Sequence, residues 1–329
     1  MKPSLTVAAT CALAAAAAAP LSFSWQAREP LPFGMAGGVG AFLDNAVVYA
    51  GGTTWHQGQK VWLASVFRYD AAQDVWREST ALPEALAYGP SVAREDELEV
   101  FGGMTGTGPS LKCWRLRSGE TVWQHSGNLP AASALGRAAR INGRVYIFGG
   151  CADVADLSSC ADSVTVRTEN GLWQTSSKFP SGPVALMASA VAGREAYLFG
   201  GCAPSGPGSI RNLDESWRFT PLGGRWHKLR PLPVAVRAVS ATLLDGQRIL
   251  VAGGYHASQS EAKLHGPEYG FSKAVWIYHI DRDEYEPVTP LPEAAAGVEL
   301  VSAHGRIFAV GGEDKARGRL RAFQELRIP

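Results

Sequence analysis

Arg306-Ile307-Phe308-Ala309-Val310-Gly311-Gly312-Glu313-Asp314-Lys315-Ala316-Arg317-Gly318-Arg319 decides how the chain reads. Its first half, a short apolar run closed by a double glycine, recurs through the sequence. The other copies end at Gly51-Gly52, Gly102-Gly103, Gly149-Gly150, Gly200-Gly201 and Gly253-Gly254. Only this copy continues into a carboxylate, Glu313, with a guanidinium, Arg319, six residues further on. The repeat reads as scaffold and the tail as a candidate site.

Working outward from the glycines, each copy passes through a polar loop, a strand, a turn, a tryptophan on a further strand and a Leu-Pro. The aromatic positions are Trp25, Trp76, Trp123, Trp173, Trp226 and Tyr285. The Leu-Pro positions are Leu31-Pro32, Leu82-Pro83, Leu129-Pro130, Phe179-Pro180, Leu232-Pro233 and Leu291-Pro292. Both series advance by about 47 to 59 residues, the period of a four-stranded propeller blade. The apolar runs suit strands buried against neighbouring blades. Gly-Gly suits a crowded turn where Cβ atoms would clash. The Pro ends a ladder for want of an N–H.

The two ends of the repeat complete each other. The N-terminal side carries Trp25 and Leu31-Pro32 without the strands that should precede them. The C-terminal side carries Gly311-Gly312 and a third strand near residues 320–328 without its Trp or Leu-Pro. The expected fold is therefore all-β: a six-bladed β-propeller whose sixth blade is closed by the N-terminal strand, which removes free sheet edges.

The 329 residues could hold two average domains, but the repeat points to one closed domain over 21–329. Residues 1–20, with Lys2 ahead of an apolar, alanine-rich run over 5–19, read as a signal peptide cleaved within 15–20. The run is short for a membrane span, which needs about 20 residues. Cys11 follows Ala9-Thr10, a poor lipidation context. The expectation is an exported protein, periplasmic or secreted, with no membrane span. A net charge of +1 gives no nucleic-acid footprint. Beyond the signal lie Cys113, Cys151, Cys160 and Cys202; a local Cys151–Cys160 disulfide is the first expectation and buried free thiols the alternative. No Cys/His spacing suggests zinc, and no metal or cofactor is expected. Homodimerisation is left open.

Alternating strand direction places two kinds of loop on one face, those after Gly-Gly and those after Leu-Pro. The first set brings His56, Lys60, Arg211, Glu313 and Arg319 there; the second brings Tyr88, Arg137 and Arg237. A cationic, aromatic face with one acid suits a small acidic or sugar-like ligand. Loop side chains of this kind are more often simply solvated. Glu313 stands out because it directly follows Gly-Gly, where the chain enters the mouth of the central channel.

The Gly-Gly, Trp and Leu-Pro register is the kelch pattern. Within kelch proteins the chain resembles the bacterial sialic acid mutarotases (N-acetylneuraminate epimerases), specifically their cyclically permuted branch. The resemblance lies in Ala50-Gly51-Gly52 with Gln59-Lys60-Val61-Trp62, in residues 86–92, and in Gly311-Gly312-Glu313-Asp314-Lys315 with Arg319. It implies that the sixth blade corresponds to the family's fourth, that Glu313 is a general base, and that Arg319 accompanies it. The family often carries Pro-Gly in this loop where this chain has Ala316-Arg317-Gly318. The implied activity is interconversion of sugar-acid anomers by acid–base ring opening. Arg319 would clamp a carboxylate or steady developing charge, with Arg137, Arg237 and Arg211 assisting, and His56 or Tyr88 would serve as the acid. Two other readings use the same fold: a non-catalytic propeller binding a glycan or partner protein, and, less favoured, a copper radical oxidase, for which no cysteine–tyrosine pattern is present.

Overall fold

Each Gly-Gly ends the second strand of a four-stranded antiparallel sheet, and six such sheets close into a ring. The computed structural model describes residues 23–94 and 96–328; the expected signal peptide lies outside them. Blade 1 runs outward from the channel as Val39–Leu43, Ala46–Ala50, Val66–Asp70 and Val75–Ser79. Blades 2 to 5 repeat that order, with innermost strands Ser91–Arg94, Arg137–Ile141, Ala188–Ala192 and Ser240–Asp245. Blade 6 takes Glu299–Ala303, Arg306–Val310 and Phe323–Arg327 from the C-terminal side and Ser24–Ala27 from the N-terminal side as its outermost strand. Trp25 pairs with Leu326 in that closure. Successive innermost strands touch, blade 6 reaching blade 1, so blades 3 and 6 stand on opposite sides of the channel.

The repeated residues explain the packing. All twelve paired glycines have positive φ, the first of each pair at +56° to +68° and the second at +94° to +104°. A Cβ on Gly51 would meet the Leu86 carbonyl oxygen at 2.4 Å, and on Gly52 the Ala36 carbonyl at 2.8 Å. Blade meets blade there through bare backbone. The repeated Trp reaches across blades. Trp76 stacks edge-on against Phe323 of blade 6, its indole N–H donating to the Glu29 carbonyl (2.9 Å). Tyr285 takes the same place in blade 5, its hydroxyl bonded to Ser216 of blade 4 (2.7 Å).

The loops after Gly-Gly are not plain loops in every blade. In blades 1 to 4 they fold into two-stranded hairpins: Thr53–His56 with Gln59–Trp62, Met104–Thr105 with Gly108–Pro109, Cys151–Asp153 with Asp156–Cys160, and Cys202–Gly206 with Ser209–Asn212. Blade 5 carries the helix Gln259–Leu264 instead, opened by a Ser258–Glu261 capping box. Blade 6 has the loop that bears Glu313 and Arg319. Cys151 and Cys160 are cross-strand partners in their hairpin, yet both are buried free thiols, as are Cys113 and Cys202. The expected disulfide is thus absent; Cys151, Cys160 and Cys202 pack as small apolar groups beside Met104, and Cys113 does so beside Phe101 and Leu129. Among the described residues no helix is long and apolar enough to cross a membrane.

Candidate active site

The residue after each Gly-Gly pairs with a residue of the loop that enters the innermost strand. This sets one ring of six positions around the channel mouth: Thr53, Met104, Cys151, Cys202, Tyr255 and Glu313. Glu313 is the one carboxylate in that ring. It pairs with Ala296 and lines a cavity of about 450 Å³. Its walls surround the side chain but leave 31% of it open to the cavity. Burial pushes its carboxyl above the ordinary value of 4.5, while Arg319 and then Lys60 draw it back down and Asp314 adds to the rise.

Arg319 lies 3.3 Å from Glu313 and is only 5% exposed. Its Nη1 donates to the Gly318 carbonyl (2.7 Å), and its Nε and Nη2 donate to Thr53 Oγ1 (3.2 and 3.1 Å). Most of the guanidinium fork is therefore committed to protein groups, which suits holding Glu313 in place better than clamping a ligand. Thr53 Oγ1 also lies 3.2 Å from the Tyr88 hydroxyl. Tyr88 itself sits at φ +62°, packed against Gly37, where a Cβ would come within 2.3 Å of the ring. A continuous polar path thus runs from Glu313 through Arg319 and Thr53 to Tyr88.

Lys60 and Tyr88 line the same cavity, with the Lys60 ammonium over the Trp62 and Tyr88 rings at 4.8 and 4.7 Å. Arg237 lines it too, held by Asn212 Oδ1 (2.6 Å) and stacked on the Tyr255 ring at 4.4 Å. Arg137 reaches the cavity floor. Ala262, Pro267 and Tyr269, from the helical segment of blade 5, cover one side. The Ala316 N–H bonds to the Pro267 carbonyl (3.0 Å), tying that cover to the Glu313 loop.

His56 and Arg211 are the exceptions among the expected site residues. Both are exposed on the hairpins of blades 1 and 4, and neither lines the cavity. His56 sits at its hairpin tip, next to the Gln57-Gly58 turn, and Arg211 pairs with Ala203. The hairpins carry these side chains up and away, which a reading of the segments as simple loops did not foresee. Conversely, Glu299 lines the floor and was not anticipated. Its signal was available: it stands twelve residues before its Gly-Gly, as Arg137 does. Among the described residues His, Cys, Asp and Glu do not gather in a group of three that could hold a metal.

No protein-family model matches the chain. N-acetylneuraminate epimerase of Yersinia pestis (strain Pestoides F) is 24% identical over 170 residues, covering 44% of this chain and 43% of the relative. Kelch repeat and BTB domain-containing protein 8 of Xenopus tropicalis is 30% identical over 92 residues, 28% of this chain and 14% of the relative. The chain thus matches less than half the length of either relative. With the blade architecture, these similarities identify the chain as a six-bladed kelch-type propeller distantly similar to N-acetylneuraminate epimerases.

Proposed function

We propose that this propeller is a mutarotase, interconverting the anomers of N-acetylneuraminate or a related sugar acid. The observation that carries the reading is Glu313: a lone carboxylate in the ring after Gly-Gly, inside a concave cavity, held by Arg319 and faced by cationic side chains. The distant similarity to N-acetylneuraminate epimerases supports the substrate class.

The chemistry needs one base and one acid. Glu313 takes the proton of the anomeric hydroxyl as the bond from the anomeric carbon to the ring oxygen breaks, and the ring oxygen receives a proton. The open keto form rotates, and re-addition of the ring oxygen reverses both transfers. Tyr88, joined through Thr53 and Arg319 to Glu313, is the proton donor in this scheme. Arg319 fixes the base, while Arg237, Lys60 and Arg137 balance the charge of the acid. A base with a raised pKa gives an activity that falls with acidification through a value above 4.5. NMR exchange spectroscopy on N-acetylneuraminate, with and without the protein, tests the reading: acceleration with an acid limb above pH 4.5 supports it, and an unchanged exchange rate across pH 5–8 rejects it.

A second reading, a non-catalytic propeller binding a glycan or a protein, is favoured by the similarity to a kelch-repeat and BTB protein. Against it stands the placing of Glu313 in a concavity rather than on a flat rim. Export to the periplasm or exterior belongs to either reading and is tested by cell fractionation.

A further inference from the structure

Two cavities meet in the channel below the candidate site. The cavity holding Glu313 and a wider one of about 830 Å³ on the opposite face share three lining residues: Ser91, Arg137 and Glu299. The strand register gives this junction its composition. Opposite the residue that precedes each Gly-Gly stand Val39, Arg137, Ala188, Ser240 and Glu299, and in blade 2 Pro90. One ring of six therefore carries a single cation and a single anion, from blades 3 and 6, which face each other across the channel. Around them the ring is apolar or small.

Neither group is satisfied in the way a structural ion pair would be. Arg137 donates through Nε to the Met187 carbonyl; among the described residues its two terminal nitrogens have no hydrogen-bond partner. Glu299 accepts one bond, from the Gly40 N–H (3.1 Å). Gly40 makes the space for it, since a Cβ there would come within 2.7 Å of Glu299 Cγ. The two charges attract across the channel without closing into an ion pair. Burial lowers the pKa of Arg137 and pushes Glu299 up to about 7.

We propose that this junction is an anion subsite, in which the terminal nitrogens of Arg137 take the carboxylate of an acidic ligand and Glu299 takes up a proton from the solvent to admit it. Two carboxylates around one guanidinium repel unless one is neutral, so the anion and a proton arrive together. The groups facing Glu299 leave it this role. Tyr49 of blade 1 is buried, with its phenol pushed upward and protonated. On the wider side Arg140 is held by Glu97 and Glu99, and Arg306 by Glu325. His304 stacks on Phe42, and Arg94 pairs with Asp96. Lys60, Arg237 and Glu313 lie toward the other mouth.

The choice of probe rests on the proposed function. Calorimetric titration of N-acetylneuraminate, in buffers of different ionisation enthalpy between pH 6 and 9, counts the protons taken up. The expected result is uptake rising toward one proton above pH 7, with affinity level below pH 7 and falling up to about tenfold per unit above it. Glu313→Gln should keep that uptake and Glu299→Gln should lose it. The methyl ester of the same sugar, offered to the unaltered protein, should bind with no uptake, which tests the idea without any substitution. Arg137→Met should weaken the acid at least tenfold and leave the ester unaffected. Uptake that survives Glu299→Gln, an ester that behaves like the acid, or binding of neither compound would overturn the subsite. Anomer exchange without linked uptake would keep the mutarotase and discard the subsite; uptake without exchange would do the reverse.

Discussion

At the scale of single residues, the charged groups of the channel divide by how they are held. Arg319 spends its donors on Thr53, Gly318 and Glu313 and is nearly sealed, so it positions the base. Among the described residues the terminal nitrogens of Arg137 have no hydrogen-bond partner. Glu299 makes a stability prediction with a definite sign. Its value near 7 in the folded protein, against an ordinary 4.5, means that the folded state binds the proton more tightly. Its contribution is therefore fully present below about pH 4.5 and lost as pH rises to 7 and above. Glu299→Gln should be more stable than the unaltered protein at pH 8, by on the order of 2 kcal/mol, and indistinguishable from it near pH 4.5. Denaturant melts at the two pH values check this; equal stabilities at pH 8 would contradict it. The one sequence cue to this role was register, since Glu299 and Arg137 each stand twelve residues before their Gly-Gly; read within its own strand Glu299 is an ordinary polar residue, and Arg137 lies three blades away.

At the scale of elements, the paired glycines were legible because their chemistry is restrictive: a positive φ and a backbone oxygen in van der Waals contact leave few alternatives. Gly51→Ala places Cβ 2.4 Å from the Leu86 carbonyl oxygen at φ +67° and should destabilise by more than about 2 kcal/mol. Gly58→Ala, at a hairpin tip with φ +76° and open space around it, should cost only about 1 kcal/mol. Parallel thermal melts compare them, and similar losses would refute the packing account. The hairpins after Gly-Gly were not legible. Stretches such as Met104-Thr105-Gly106-Thr107-Gly108-Pro109 are short, polar and glycine-rich, without the apolar run that marks the blade strands. That gap explains both misplacements: His56 and Arg211 ride on hairpins that lift them clear of the cavity. The free thiols have the same origin, since cross-strand pairing of Cys151 with Cys160 shows register and not oxidation.

At the scale of the whole molecule, the sequence was most informative where its ends looked incomplete. Trp25 and Leu31-Pro32 lacked inner partners, and the C-terminal strands lacked an outer one; the blade formed by Ser24–Ala27 and Phe323–Arg327 resolves both. The closure is reinforced by Arg28 with Glu325, by the Leu31 N–H to the Arg321 carbonyl (2.9 Å), and by the Trp25 indole to the Thr289 carbonyl (3.2 Å). Deleting residues 24–27 exposes the edge of Phe323–Arg327 and should lower the melting temperature by several degrees and promote association. Calorimetry and light scattering check both effects, and an unchanged, monodisperse melt would argue against the closure. The ring also explains why a site residue from blade 6 meets one from blade 3: only a closed propeller brings them to one axis.

The most direct test of the account is anomer exchange of N-acetylneuraminate by NMR, run on the unaltered protein and on Glu313→Gln at equal concentration. The prediction is acceleration by the first and a loss of about 10²- to 10⁴-fold in the second, with no loss of thermal stability. Acceleration undiminished in Glu313→Gln would contradict the assignment of the base.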